Sequence, residues 1–233
     1  MIARREVAQR TMALFFERPA GFSFKAGQFI DLRLLDPIET DSEGNTRALT
    51  IASAPSEERL MIVTRLRDTA FKRILMRMPF GTMVNIEGPF GNLTLSESAA
   101  RPLVFLAGGI GITPFRSMLV QAAMHHLPYR LVLFYSNRRP EDAPFFHELQ
   151  DLQRKISRYT FVGTMTQMEK SNCSWTGETG YLDHSMMTRH LVGIESPLYF
   201  IVGPPTMVQA FRTMLETVGV RNTDIRTEEF AGY

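Results

Sequence analysis

The sequence predicts two units in series, an antiparallel β-barrel over residues 1–97 and a doubly wound parallel α/β sheet over residues 98–233. Three observations predict this. Short strand-like runs punctuated by Gly and Pro fill the first part, and apolar runs alternating with helical stretches fill the second. A polar, small-residue segment at 96–102 separates them. Just after it, the run Leu-Val-Phe-Leu-Ala leads into Gly108, Gly109 and Gly111 and then Thr113-Pro114, an apolar strand feeding a glycine turn and a helix start.

In the first unit, residues 13–17, 29–35, 47–52, 59–67 and 82–87 read as strands. They are set apart by Pro19, Gly21, Gly27, Pro37, Gly44, Pro55 and Gly81. One helix interrupts them at 71–78, where Phe71, Ile74, Leu75 and Met78 recur at helical spacing. In the second unit, strands are expected at 103–107, 130–135, 159–164, 198–202 and 225–229, with helices after the first four. Ligands of such sheets bind beyond the carboxyl ends of the strands, here 108–114, 136–139, from 164 onward and 203–207. The polar stretch 167–180 reads as a mobile surface loop.

The glycine turn has two readings. Glycines remove side chains that would keep an anion from the peptide N–H groups, and a helix start behind them directs its positive dipole end at a pyrophosphate. The same strand, turn and helix also serves plain α/β packing.

Composition narrows the classes. The 233 residues are 44% hydrophobic and 21% charged, and 26 Lys+Arg against 24 Asp+Glu leave a net charge of +2. That balance, without basic runs interleaved with aromatics, argues against nucleic-acid binding. The single cysteine, Cys173, excludes an internal disulfide, a protein-held iron–sulfur cluster and a Cys-rich zinc site. A reducing, cytoplasmic setting is expected, with no bilayer-spanning run and no signal-peptide segment. No metal site is expected, because His125, His126, His147, His184 and His190 share no ligand spacing with acids. Met76, Met78 and Met83 read as core filling, and Trp175 as a loop anchor or an acceptor contact.

Five segments in register carry a resemblance. They are Arg47-Ala48-Leu49-Thr50-Ile51-Ala52-Ser53, Gly88-Pro89-Phe90-Gly91, Gly108-Gly109-Ile110-Gly111-Ile112-Thr113-Pro114, Gly203-Pro204-Pro205-Thr206-Met207, and Glu228-Glu229-Phe230-Ala231-Gly232-Tyr233. In this order, on a barrel followed by a nucleotide-type sheet, the chain resembles the ferredoxin–NADP⁺ reductase family of flavoproteins over nearly its whole length.

The resemblance implies FAD on the barrel, with FMN as the alternative, NAD(P)H on the sheet, and hydride transfer between them. A separate acceptor protein such as ferredoxin, flavodoxin or an oxygenase component would take the electrons. Two alternatives are a reductase that uses free flavin as substrate and a non-catalytic electron-transfer or regulatory subunit. Arg47 matches the arginine on the flavin phosphates, and Thr50 the hydroxyl beside flavin N5. Ile51 continues that strand, and Leu49 stands where the family usually stacks an aromatic ring on the flavin. Val63, Thr64 and Arg65 would lie along the cofactor, and Thr69, Ala70, Phe71 and Lys72 would wrap its phosphates at a helix start. On the sheet, Gly108, Gly109, Gly111, Ile112, Thr113 and Pro114 would carry the dinucleotide pyrophosphate. Tyr135, Ser136, Asn137 and Arg138 would meet the adenosine ribose, with Arg138 or Arg139 suited to a 2′-phosphate. Gly203, Pro204, Pro205 and Met207 would wall the nicotinamide, where Val202 replaces a frequent cysteine. Glu229, ahead of Glu228, would be the acid near hydride transfer, and Tyr233 would cover the flavin face.

Overall fold

The computed structural model describes residues 1–95 and 101–230. The expected boundary at 97/98 and Tyr233 therefore lie outside the described residues. The N-terminal unit contains β1 (Ala3–Ala8), β2 (Thr11–Phe16), β3 (Phe29–Leu34), β4 (Thr46–Thr50), β5 (Leu60–Arg65), helix α1 (Ala70–Arg77) and β6 (Val84–Phe90). Its strands form two three-stranded antiparallel sheets, β1-β2-β5 and β4-β3-β6. Among the described residues, an isolated antiparallel bridge between Ile51 and Ile62, with the Ala52 N–H donating to the Met61 carbonyl beside it at 2.8 Å, links them, so the expected barrel is two sheets curled around one core rather than a continuous closed ladder. That core holds Leu14, Ile30, Leu32, Ile51, Leu60 and Ile62, with Phe71 and Leu75 of α1.

The C-terminal unit contains β7 (Leu103–Gly108), α2 (Ile112–Met124), β8 (Leu131–Asn137), α3 (Phe146–Asp151), β9 (Tyr159–Met165), β10 (Glu178–Thr179), α4 (His184–His190), β11 (Leu198–Gly203), α5 (Pro205–Thr217) and β12 (Ile225–Glu229). They build a six-stranded parallel sheet in the order β10-β9-β8-β7-β11-β12. The chain winds outward from β7 through β8 and β9, then crosses to β11 on the other side. The crevice between β7 and β11 is therefore the switch point where such sheets bind ligands. Both faces are covered. Phe105, Phe115 and Met118 pack on the α2 side, with the Phe105 and Phe115 rings stacked at 4.5 Å. Val104, Leu106, Met186, Val208 and Phe211 pack on the other. Burial on both faces makes these strands continuous apolar runs.

Strand β5 ties the units together through its two faces. Leu60 and Ile62 point into the N-terminal core, whereas Met61 and Val63 join the larger core of the C-terminal sheet. Helix α2 completes the junction. Arg116, almost fully buried, binds Glu57 (2.9 Å) of the N-terminal unit and Glu148 (2.6 Å) of α3, and donates to the Ala52 carbonyl at 2.8 Å. Ser117 Oγ donates to the Ser53 carbonyl at 2.7 Å, and the Ser56 N–H to Gln121 Oε1 at 3.2 Å.

Two strands escaped the sequence reading. β1 is a charged, half-exposed edge strand without an apolar period, and β10 is two residues long. The 167–180 segment, expected to be a mobile surface loop, is tied down at several points: β10 pairs with β9, and Ser171 Oγ donates to Glu141 Oε2 at 2.8 Å. Trp175 lies against Phe146 at 5.3 Å between ring centroids, and its indole donates to the Glu178 carbonyl at 2.8 Å.

Candidate functional site

A cleft of about 450 Å³ opens where the two units meet at the carboxyl ends of the parallel strands. Phe29, Arg47, Ala48, Leu49, Thr50 and Val63 line it from the N-terminal unit, facing Ile110, Thr113, Glu228, Glu229 and Phe230 from the sheet. Residues far apart in sequence thus converge at the switch point.

On the N-terminal side, Thr50 is 8% exposed at the end of β4, paired with Phe29 of β3. Leu49 is half-buried on the N-terminal core and presents an aliphatic surface to the cleft. Two neighbouring expectations are corrected. Ile51 is fully buried in the N-terminal core and its N–H is spent on the Gln28 carbonyl at 2.9 Å. Thr64 is buried on the same face of β5 as Leu60 and Ile62, away from the cleft that Val63 lines. Arg65 reaches across the junction instead of along the N-terminal wall. Its Nη2 donates to the Asp142 carbonyl at 3.1 Å and lies 3.2 Å from where a Cβ on Gly109 would stand.

At one end of the cleft, Arg47 and the start of α1 form a cationic corner. Thr69 caps α1, its hydroxyl accepting from the Lys72 N–H at 3.4 Å. The Ala70 N–H, one of the donors that a helix start leaves without an intrahelical acceptor, faces the same corner. The Phe71 ring is buried in the core beneath it, with the Arg47 guanidinium 4.9 Å above that ring, so of Phe71 only the backbone faces the corner. Lys72 is partly desolvated, and burial, with Arg67 and Arg47 adding repulsion, lowers its pKa to about 8. A carboxylate that the sequence reading missed, Asp41, sits within this corner. Its Oδ2 accepts from the Ala70 N–H at 2.9 Å, and its Oδ1 lies 3.3 Å from Arg47 Nη2.

On the sheet side, the turn Gly109–Gly111 is a short 3₁₀ helix that runs into α2. Gly109 has φ +54°, a left-handed backbone that glycine adopts without strain. Gly111 is required by close approach, since a Cβ there would lie 2.3 Å from the Val202 carbonyl oxygen. Part of the glycine pattern therefore serves packing. Gly108 and Gly203 flank a notch now filled by Met207, whose Sδ lies 2.3 Å from where a Gly108 Cβ would be. Pro204 and Pro205 start α5 beside that notch. Ile112 and Pro114 are buried in α2, and only Thr113 reaches the cleft, its hydroxyl donating to the Ile110 carbonyl at 3.0 Å.

Beyond β8 the expected adenosine contacts separate. Tyr135 is fully buried in the core and donates to the Pro144 carbonyl at 3.1 Å, so it is unavailable to a ligand, and burial raises its pKa. Ser136 is half-buried on the opposite face. Asn137 is buried at the strand end with both side-chain polar atoms unpartnered, an arrangement that needs an explanation in a folded protein. Arg139 is consumed by Asp142 (2.8 Å) and by Gln9. Arg138 is exposed, without a hydrogen-bond or ion-pair partner among the described residues.

The two cleft glutamates differ in their surroundings. Both line the cleft, but Glu229 is exposed at the strand end, whereas Glu228 carries a buried Oε2 without a hydrogen-bond partner. Desolvation pushes its pKa up. Phe29, Ile110 and Phe230 are further lining residues; Phe29 carried no signal beyond that of an ordinary strand residue. Among the described residues no group of three or more His, Cys, Asp or Glu side chains could hold a metal ion, and no helix is long and apolar enough to cross a membrane.

These features fit a flavin and a dinucleotide: a cationic corner, a cleft with one aliphatic wall, and a glycine turn opening a helix at the switch point. Residues 105–213 match the oxidoreductase NAD-binding domain family. Ferredoxin–NADP reductase B of Sorangium cellulosum is 30% identical over 240 residues, covering 99% of this chain and 96% of that protein. The glycine betaine monooxygenase reductase subunit of Chromohalobacter salexigens is 28% identical over 224 residues, and the match spans 95% of this chain but only 60% of that protein. Among solved structures, a ferredoxin NADP⁺ reductase from Neisseria gonorrhoeae with bound FAD and NADP superposes with a TM-score of 0.77 at 23% identity, over 98% of this chain and 96% of that one. The fold is thus shared at low identity, and the near full-length sequence match assigns the lineage: the chain belongs to the ferredoxin–NADP⁺ reductase family.

Proposed function

We propose that this protein is a cytoplasmic NAD(P)H-dependent flavoprotein reductase of two units, 1–97 holding FAD and 98–233 holding the nicotinamide dinucleotide, with a separate electron acceptor such as ferredoxin, flavodoxin or an oxygenase component. The observation that carries the reading is the convergence of Arg47 and Thr50 of one unit with Ile110 of the glycine turn, Thr113 and Glu228 of the other on a single cleft. A bound flavin supplies a two-electron acceptor that can release its electrons singly, which no side chain here could do.

The chain's own residues bind, orient and hold protons. Arg47, Lys72 and the start of α1 are the groups that would hold flavin phosphates in place of the Asp41 carboxylate. Thr50 offers a hydroxyl at the cleft wall as donor or acceptor. Phe29, Phe230 and Leu49 exclude water from the reacting edge. Glu228 holds a proton there above the usual carboxylate range. A second reading, flavin as a diffusing substrate, is favoured by Leu49, which cannot supply the aromatic stacking worth about 0.5–1.5 kcal/mol.

The function is tested by following NADH and NADPH oxidation with ferricyanide as acceptor, with and without added flavin. The reading expects oxidation in the presence of flavin, and no oxidation under either condition would contradict it. Arg138 supplies a donor-specific prediction. Replacing it with alanine should raise the KM for NADPH by about tenfold, the scale of one charge-assisted hydrogen bond, and leave NADH unchanged. Equal changes for both nucleotides would remove Arg138 from a 2′-phosphate site.

A further inference from the structure

The cationic corner is already occupied by an anion of the chain's own making. Asp41 lies in the connection between β3 and β4, and its carboxylate accepts from the Ala70 N–H (2.9 Å) and the Glu43 N–H (3.1 Å) and pairs with Arg47 at 3.3 Å. The same connection uses up the other end of the guanidinium. Arg47 Nη1 donates to the carbonyls of Glu43 (2.9 Å), Gly44 (3.0 Å) and Thr46 (2.8 Å), and Glu43 adds a carboxylate 2.9 Å from Nη2. Lys72, beside Arg47 and Arg67, is left without an ion-pair partner among the described residues.

We infer that Asp41 is an internal stand-in for a phosphate and a specificity-determining residue, which sets this cleft against flavins that carry a phosphate and leaves binding of the bare flavin ring untouched. The inference rests on the reading that the N-terminal unit holds the flavin.

The physical argument is one of exclusion. The Ala70 N–H and the Arg47 fork form one seat, and a phosphate needs both because charge-assisted contacts are short and directional. A second anion entering beside Asp41 would meet a like charge at contact distance, a strong repulsion even where solvent screens it. The phosphate must therefore displace the carboxylate, moving the connection ahead of β4 and disturbing the Glu43 and Gly44 carbonyl contacts to Arg47. Riboflavin, with the same ring and no phosphate, requires no such movement. Lys72 then becomes the unspent cation that a displacing phosphate would meet.

The test is equilibrium binding of riboflavin, FMN and FAD, by quenching of flavin fluorescence, to the full chain and to its Asp41→Asn and Asp41→Ser variants at one ionic strength. Asp41→Asn keeps the shape and one acceptor oxygen while removing the charge, and Asp41→Ser keeps only a short acceptor. Both are exchanges in a surface connection, and thermal melting verifies the fold. The expected result is a fall of about tenfold in Kd for FMN and FAD, with riboflavin unchanged within about twofold. An equal change for all three flavins, or none for FMN and FAD, overturns the role of Asp41 while leaving the flavin site standing. Failure of all three flavins to bind any of the proteins overturns the flavin reading itself, and this inference with it.

Discussion

Arg116→Ala is expected to lower the unfolding free energy by about 3 kcal/mol and to loosen the docking of the two units. Arg116 sits at 7% side-chain exposure between Glu57 and Glu148, which remain 30% and 36% exposed. Its removal strands two acids side by side and leaves the Ala52 carbonyl without its donor. The half-exposed acids recover some hydration, which keeps the loss at the lower end of the range for a broken buried pair. The Arg116 ion pairs and the Ser53–Ser117 and Ser56–Gln121 bonds are the polar contacts across the α2 junction described above, so the damage concentrates where the cleft is assembled. Chemical denaturation measures the loss, and proteolysis of the native protein should show earlier cutting between the units. A variant as stable as the parent would mean that apolar packing by Met61, Val63 and Met118 alone fixes the interface.

Glu228→Gln is expected to slow reduction by NAD(P)H about 100-fold, the usual scale for a lost proton donor. The carboxyl is desolvated at the cleft, so it stays protonated to higher pH than an exposed glutamate. The parent rate should fall as pH rises through that raised pKa, whereas the variant should be slow and flat. Stability provides an independent readout with the opposite sign. A folded-state pKa raised above the unfolded value gives stability that is present below the unfolded pKa and lost as pH rises through the folded one. Glutamine cannot ionise and escapes that loss, so above this window the variant should be at least as stable as the parent. A variant both slower and less stable at neutral pH would assign Glu228 a structural role. The matching Glu229→Gln change should alter the rate by less than about twofold, because that side chain is exposed at the strand end and leaves no buried polar atom at the cleft.

Much of the architecture was legible because it is written in period and punctuation. The apolar runs of β7, β8 and β11 and the glycine turn locate the parallel sheet and its switch point. The finer placements depended on which face of a strand each residue occupies, and a one-residue difference reverses that face. Tyr135 shares a face with Leu131 and Leu133 and enters the core, so it is lost to the adenosine side. Thr64 turns away where Val63 lines the cleft. Glu228 and Glu229 are adjacent in sequence, yet Glu228 is half-buried with an unpartnered Oε2 while Glu229, the last residue of β12, is exposed, a difference that strand alternation does not predict. Asp41 was illegible for a different reason. Nothing in an acidic connection between strands states that it will fold 29 positions along the chain onto the start of α1.

The arginines divide in the same way. Arg138 and Arg139 are equivalent as sequence, but Asp142 claims Arg139 and leaves Arg138 exposed. Arg65, expected along the flavin, instead crosses to the Asp142 carbonyl beside the glycine turn, because it ends the strand that bridges the two cores.

The most direct test of the central claim is an anaerobic absorbance titration of the purified protein, supplied with FAD if colourless, with NADH and separately with NADPH. The account predicts a flavin spectrum that bleaches on addition of at least one nucleotide, in the presence of protein and not in its absence. A flavin spectrum that neither nucleotide bleaches would contradict it.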